Sequence, residues 1–518
     1  MGVNQSKQRP QVEPGELSDK ALCERLEKAL DRNRSADEAS PGPASIQEKE
    51  ESTRLVREPQ GLSRKLVLSW QDDFLQDPRN RLALKALTAN NPRSLLTSAA
   101  TTRADHHIFN IRIPVEGGPV THQRSSGRCW LFAATNVFRV SLMNRYNLAS
   151  FEFSQSYLFF WDKLEKANWF LEQIIDTAHG HDLDSRLVQH LLAQPVSDGG
   201  QWDMVANLVR KYGVVPKALY PDTWSASNSA ILNSVLKSKL REHAVVLRRL
   251  VRQENESGTE KKSAAATSRA VSDAKARMLR DILGVLTVTL GSPPDPRAAY
   301  IWMYEDMNGK ACEVRTTPHA LAMGTYGVRR IVSMGISLVH DPRHPPLTLL
   351  TVERLGNIVG RRSATYVNVN MATLKGACVA SLREGQPVFF GSDIGKFSSS
   401  ASGVMDLDLF DYELGFGVGL RGLDKADRLR AGDSQMTHAM ILTGVHVDAS
   451  GRTVRWRVQN SWGDQVGQKG WFVMSDAWMD EYVYQAVVDP VYLAKEVRDV
   501  LKKTPVVLPP WDPMGSLA

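Results

Sequence analysis

Between Gln123 and Asn136 the chain reads Q-R-S-S-G-R-C-W-L-F-A-A-T-N. Polar turn residues and Gly127 give way at Cys129 to Trp130, Leu131, Phe132, Ala133 and Ala134, which read as the first turns of a buried helix. A cysteine at such a junction sits where unpaired backbone N–H groups and the helix dipole favour negative charge. Its thiol can ionise near neutral pH, and the thiolate is a nucleophile. Gln123, six residues earlier, carries an amide able to donate to an oxyanion. A lone cysteine is more often a small core residue, so Cys129 gains meaning only with partners elsewhere in the chain.

The 518 residues are 42% hydrophobic, enough for two or three globular domains. Cys23, Cys129, Cys312 and Cys378 are too scattered for a disulfide framework, and no C-x-x-C pair points to zinc. This favours a reducing compartment and implies neither a metal nor a cofactor. There is no glycine-rich phosphate loop, no dinucleotide fingerprint and no apolar run long enough to span a bilayer. A net charge of +7 allows weak attraction to polyanions, although a basic balance is usually a solvated surface.

From Val120 to Tyr220 the chain reads as mainly helical and rich in aromatics, with Ser154 placed to cap the helix that follows. Asp198-Gly199-Gly200-Gln201 reads as a turn, and paired glycines let a ligand approach bare backbone. Residues 230–290 carry a helical pattern, Leu236, Leu240, Val245, Val246 and Leu250, then Met278, Leu279, Ile282, Leu283 and Leu286. The polar stretch Gln253 to Arg269 reads as a loop joining two helices. Residues 300–385 read as mixed, with short strands such as Thr365 to Val369.

The last third turns to strands. Pro387 to Gly391, His438 to Val445, Val454 to Asn460 and Gly470 to Met474 are strand-like and separated by glycine-containing turns, as in an antiparallel sheet or small barrel. His438 opens one apolar strand, and Asn460 ends another just before Ser461-Trp462-Gly463. Neighbouring strands could set this imidazole and this amide side by side. Taken singly, each residue also reads as a satisfied structural side chain.

Together, Gln123, Cys129-Trp130, His438-Ala439 and Asn460-Ser461-Trp462-Gly463 match, in order, the four motifs of the papain-like cysteine peptidases, which the sequence resembles. His438 lies about 310 residues after Cys129, where the papain-type layout has roughly 130–150, and Ser126 stands where that family usually has a half-cystine. Both departures resemble the bleomycin hydrolase branch, as do Ser125 to Asn136, Tyr157 to Phe160, Asp184 to Gln189, Met436 to Met440 and Pro510 to Gly515.

The resemblance implies an α+β chain of papain-like fold, with a helical domain, an antiparallel β-barrel domain and a large helical insertion. The expected organisation is an appended segment at 1–62, a helical catalytic domain at 63–229, an insertion at 230–385, a β-rich catalytic domain at 386–495 and a C-terminal arm at 496–518. It implies a cysteine aminopeptidase in which Cys129, His438 and Asn460 form the triad and Gln123 completes the oxyanion hole. Gly199 and Gly200 would bind substrate backbone, and Trp462 would shield the His438–Asn460 pair. The arm would enter the cleft, so that the Ala518 carboxylate meets the substrate's free amine. Also implied are a homohexamer, weak nucleic-acid binding as a side property, and peptides with a free N-terminus, amino-acid amides, bleomycin and homocysteine thiolactone as substrates. The alternative is a nucleic-acid-binding or scaffolding protein on an inactive peptidase fold, against which the retention of all four polar residues argues.

Residues 1–62 fall outside the resemblance. Leu17, Ala21, Leu22, Leu26, Ala29 and Leu30 have helical spacing, and Asn33 to Arg57 reads as disordered. No apolar h-region marks a secretion signal, and four acidic residues argue against a mitochondrial presequence. Met1 to Ser6 fits the M-G-x-x-x-[ST] acylation pattern, so Gly2 is a candidate for N-myristoylation, with chance an equal account of so short a match. One acyl chain gives only marginal membrane contact. The expected location is cytoplasmic, with mitochondrial and peripheral-membrane alternatives.

Overall fold

The computed structural model describes residues 61–104, 106–256 and 263–516. The N-terminal helix, the disordered segment, Gly2 and Ala518 named above therefore lie outside the described residues. The chain divides into two units, Met1–Leu75 and Gln76–Ala518. In the first, a helix starts at Arg64 and leaves Leu66, Leu68, Trp70 and Phe74 exposed.

The second unit carries all the remaining elements. Its helical part contains α1 (Cys129–Tyr146), α2 (Gln155–Asp176), α3 (Trp202–Tyr212), α4 (Ala230–Glu256) and α5 (Ser263–Leu290). Every residue of α1 from Cys129 to Val140 is buried, as expected of a helix that is apolar on all sides. Ser154 caps α2 by accepting the Tyr157 N–H at 3.1 Å. The polar stretch from Gln253 to Arg269 is narrower as a connection than its composition implies, because α4 runs to Glu256 and α5 begins at Ser263. Along α4 and α5 the buried stripe is Leu236, Leu240, Leu247 and Val251 against Met278, Ile282, Leu286 and Leu290. Val246 and Leu283, part of the apolar pattern, face solvent.

The sheet part comprises β1 (Ile336–Val339), β2 (Thr348–Val352), β3 (Thr365–Asn368), α6 (Met371–Arg383), β4 (Val388–Ser392), β5 (His438–Val447), β6 (Thr453–Gln459), β7 (Trp471–Ser475), β8 (Val483–Val488) and β9 (Val506–Leu508). These strands lie in the order β9-β2-β3-β1-β8-β4-β5-β6-β7, within a sheet of twelve that three two-residue strands complete. From β1 through β8, β4, β5 and β6 to β7 the pairing is antiparallel. At the flank, β1 with β3 and β2 with β9 are parallel, so the sheet is mixed there rather than purely antiparallel. Residues 336–368 thus belong to the same sheet as the strands after 386, and the C-terminal arm adds its edge strand. The fold class is α+β.

Two cores result. One lies among the helices around Trp130, Phe138, Trp202 and Leu240, and the other lies on the sheet around Phe390, Met440, Trp456 and Trp478. α1 joins them. Most of its side chains belong to the helical core, which also takes in Phe389, Ala439 and Ile441 from the sheet, while Val140 belongs to the sheet core. The N-terminus of α1 is thereby fixed against the start of β5.

Candidate active site

Cys129 is the first residue of α1, preceded by the N-cap Arg128, which makes no side-chain cap. Arg128 is itself fully buried, and its guanidinium bonds Asp222 at 2.7 Å, Ser156 at 3.1 Å and Ser126 Oγ at 2.9 Å. An unpaired buried charge is costly, so this pairing fixes the turn that delivers the thiol. The Cys129 thiol sits in reach of the Ala439 and Trp130 N–H groups.

His438 is the first residue of β5, and Asn460 directly follows β6. The register pairs Ile441 with Gln459, which carries these two chain ends to one side of the sheet. His438 Nε2 then donates to Asn460 Oδ1 at 2.9 Å, and the same oxygen accepts the Ser461 N–H at 2.7 Å. The Trp462 ring stacks on the imidazole, with centroids 4.7 Å apart and planes 29° from parallel. Asn460 is fully buried beside it.

Burial acts on thiol and imidazole in opposite senses. It pushes Cys129 up to about 11 against the pull of the N–H donors, and it pushes His438 down to about 4 against the Asn460 bond. Burial thus disfavours the ionised form of each group taken singly. A charged form of either group therefore needs a partner of opposite charge to offset the cost of burial.

Gln123 is buried and lies against Ser461, the residue after Asn460. Its Oε1 accepts from Ser461 Oγ at 2.8 Å and its Nε2 donates to the Ser126 carbonyl at 2.7 Å. An amide nitrogen has two hydrogens, so one N–H remains for a further acceptor.

On the other flank, Gly199 and Gly200 are buried. A Cβ at Gly200 would stand 2.7 Å from the Trp130 ring, so only glycine fits. Trp130 Nε1 donates to the Asp198 carbonyl at 2.6 Å, and Lys166 Nζ donates to the Gly199 carbonyl at 2.6 Å. The Asp198 carboxylate meets Lys163 at 2.6 Å, Asn233 at 2.8 Å and the Gly127 N–H at 3.1 Å. Burial works against its charge, but Lys163 and these donors win and hold the carboxyl well below the usual carboxylate range. Sequence reasoning missed Lys163 and Lys166, and it missed the charge-pairing roles of Arg128 and Asp198. The charged run Asp162, Lys163, Glu165 and Lys166 inside a helix otherwise rich in apolar and aromatic residues was the available signal.

The arm reaches the same place. Trp511 lies under the Arg186 guanidinium at 3.7 Å, Asp512 pairs with Arg343 at 2.8 Å, and Met514 is buried. Beyond these anchors, the Ser516 carbonyl accepts from Gln201 Nε2 at 2.6 Å, and Ser516 Oγ donates to the Met436 carbonyl at 2.7 Å. Gln201 follows Gly200 and Met436 lies two residues before His438, so the arm bridges the two walls of the cleft on this flank. Of the residues singled out from sequence, Gln123, Cys129, Gly199, Gly200, His438, Asn460 and Trp462 come together here.

The peptidase C1-like family model matches residues 61–515. Bleomycin hydrolase of Rattus norvegicus is 41% identical over 466 residues, covering 88% of this chain and 99% of that protein. Cysteine proteinase 1, mitochondrial, of Saccharomyces cerevisiae (strain JAY291) is 42% identical over 459 residues, covering 87% and 92%. Among solved structures, pepw of Lactobacillus rhamnosis superposes with a TM-score of 0.82 at 38% identity, covering 88% of this chain and 99% of its own.

Proposed function

The chain belongs to the peptidase C1-like family and is a cysteine peptidase of the bleomycin hydrolase type, and we propose that it removes single residues from the free amino end of its substrates. The observation that carries this is the clasp on Ser516 between Gln201 and Met436, which holds the arm across the cleft on that side of Cys129.

In the proposed reaction the Cys129 proton passes to His438 and the sulfur attacks the carbonyl carbon, forming a tetrahedral oxyanion. The Cys129 N–H and the second Gln123 Nε2 hydrogen stabilise that oxygen, each donor contributing about 3–4 kcal/mol. His438 hands its proton to the leaving nitrogen as the C–N bond breaks. It then takes a proton from water, whose oxygen displaces sulfur from the thioester. Asn460 orients the imidazole through the 2.9 Å bond, and stacked Trp462 keeps water from that bond. Substrates in keeping with this are peptides with a free N-terminus, amino-acid amides, bleomycin and homocysteine thiolactone. The same proposal takes in a homohexamer, weak nucleic-acid binding and a cytoplasmic location. Mitochondrial is the word in the yeast relative's name. Among the described residues no helix is long and apolar enough to cross a membrane.

Shared ionisation has a test in alkylation of Cys129 by iodoacetamide across pH. The native protein should react at pH 6, because the imidazole takes the proton. In His438→Ala the thiol keeps only its burial-raised value near 11, so reaction should begin in the alkaline range, with a deficit at pH 6 of at least about 100-fold. Identical pH profiles would remove His438 from the activation of Cys129.

A further inference from the structure

The opposite flank of Cys129 carries a cavity of about 610 Å³, lined by His122, Arg124, Ser125, Asn228 and Trp462 among others. Arg124 stands at the tip of a rigid turn there. Gln123 is tied to the Ser461 carbonyl at 2.8 Å on one side, and Ser125 bridges Asn228 on the other. Between them Arg124 adopts a φ of 56° and donates its N–H to His122 Nδ1 at 3.0 Å. A non-glycine residue in this left-handed region persists only where its surroundings impose it. The side chain is exposed, and among the described residues it makes no ion pair, not even with nearby Asp464. A fixed backbone thus presents a guanidinium without an ion-pair partner among the described residues to the cavity behind Trp462.

Because the arm closes the amine side, the leaving part of a substrate must lie on this flank. In a dipeptide the leaving residue carries a carboxylate within about 4 Å of chain beyond the cut bond, and a guanidinium matches that group in shape and charge. We infer that Arg124 selects leaving groups bearing a carboxylate, and so favours dipeptides and other short peptides over long or amidated ones. This rests on the peptidase reading above.

The experiment compares kcat/KM for leucyl-glycine and leucyl-glycine amide, with a leucyl fluorogenic amide as a substrate that has no carboxylate. The native protein should prefer the acid over the amide by about 3- to 10-fold at low ionic strength, and less in high salt. Arg124→Gln should bring the ratio close to one, Arg124→Lys should retain part of it, and Arg124→Glu should reverse it. Equal rates for acid and amide in the native protein would overturn the inference while leaving the peptidase intact. A preference that survives Arg124→Gln would overturn the assignment to Arg124. Failure to cleave any of the three substrates would remove the peptidase reading, and this inference with it.

Discussion

Replacing Asp198 by asparagine should destabilise the protein by about 3–5 kcal/mol, the usual cost of stranding one partner of a buried pair. Lys163 has no exposed side-chain surface, and Asp198 is its counter-ion at 2.6 Å. Without the carboxylate charge, Lys163 must stay charged in a buried site without this counter-ion or give up its proton, and both cost free energy. Asp198 also ties three segments together: the Gly127 N–H ahead of the nucleophile, its own glycine turn, and α4 through Asn233. Loss of activity should therefore accompany loss of stability. The sign of the pH effect follows from the lowered carboxyl pKa. The contribution is fully present above the unfolded value near 4 and disappears as pH falls through the folded one. Urea unfolding of Asp198→Asn beside the native protein checks this at pH 7. Adding Lys163→Met should recover part of the loss, because the pair is then replaced by apolar volume. A change below about 0.5 kcal/mol, the range of ordinary surface substitutions, would mean that the network is ornamental.

Deleting Trp511–Ala518 should change what the enzyme accepts. The deletion removes the stacked Arg186–Trp511 pair, the Arg343–Asp512 ion pair, buried Met514 and the Ser516 clasp. With the flank open, an N-acetylated aminoacyl amide should become a substrate. The rate for the free-amine compound should fall about 10- to 100-fold, as expected when positioning contacts are lost. Burial of Met514 alone contributes about 2 kcal/mol, so the assay belongs at a temperature where the truncated protein stays folded, checked by circular dichroism. Continued rejection of the acetylated compound by a folded truncation would take the arm out of specificity.

Much of this site was legible because its chemistry sits at element boundaries. Cys129 falls where polar turn becomes apolar helix, His438 where an apolar strand begins and Asn460 where another ends. Such positions show in a linear pattern. The supporting charges did not, because Lys163, Lys166 and Arg128 also need partners 28 to 94 residues away that only the packed structure supplies. For the same reason the parallel pairings of β1 with β3 and of β2 with β9 were not legible. Strand composition reports burial, not the direction of a partner. On α4 the apolar pattern pointed to helix, but the buried stripe is Leu240, Leu247 and Val251 rather than Val246, because neighbouring apolar residues compete for one face.

The central claim is a cysteine nucleophile serving one free amino end. It is tested most directly by hydrolysis of a fluorogenic aminoacyl amide and of its N-acetylated twin, with Cys129→Ala as control. Cleavage of the free-amine compound alone, abolished in Cys129→Ala, is the result this structure predicts. Equal cleavage of both by the native protein, or cleavage that survives in Cys129→Ala, would contradict it.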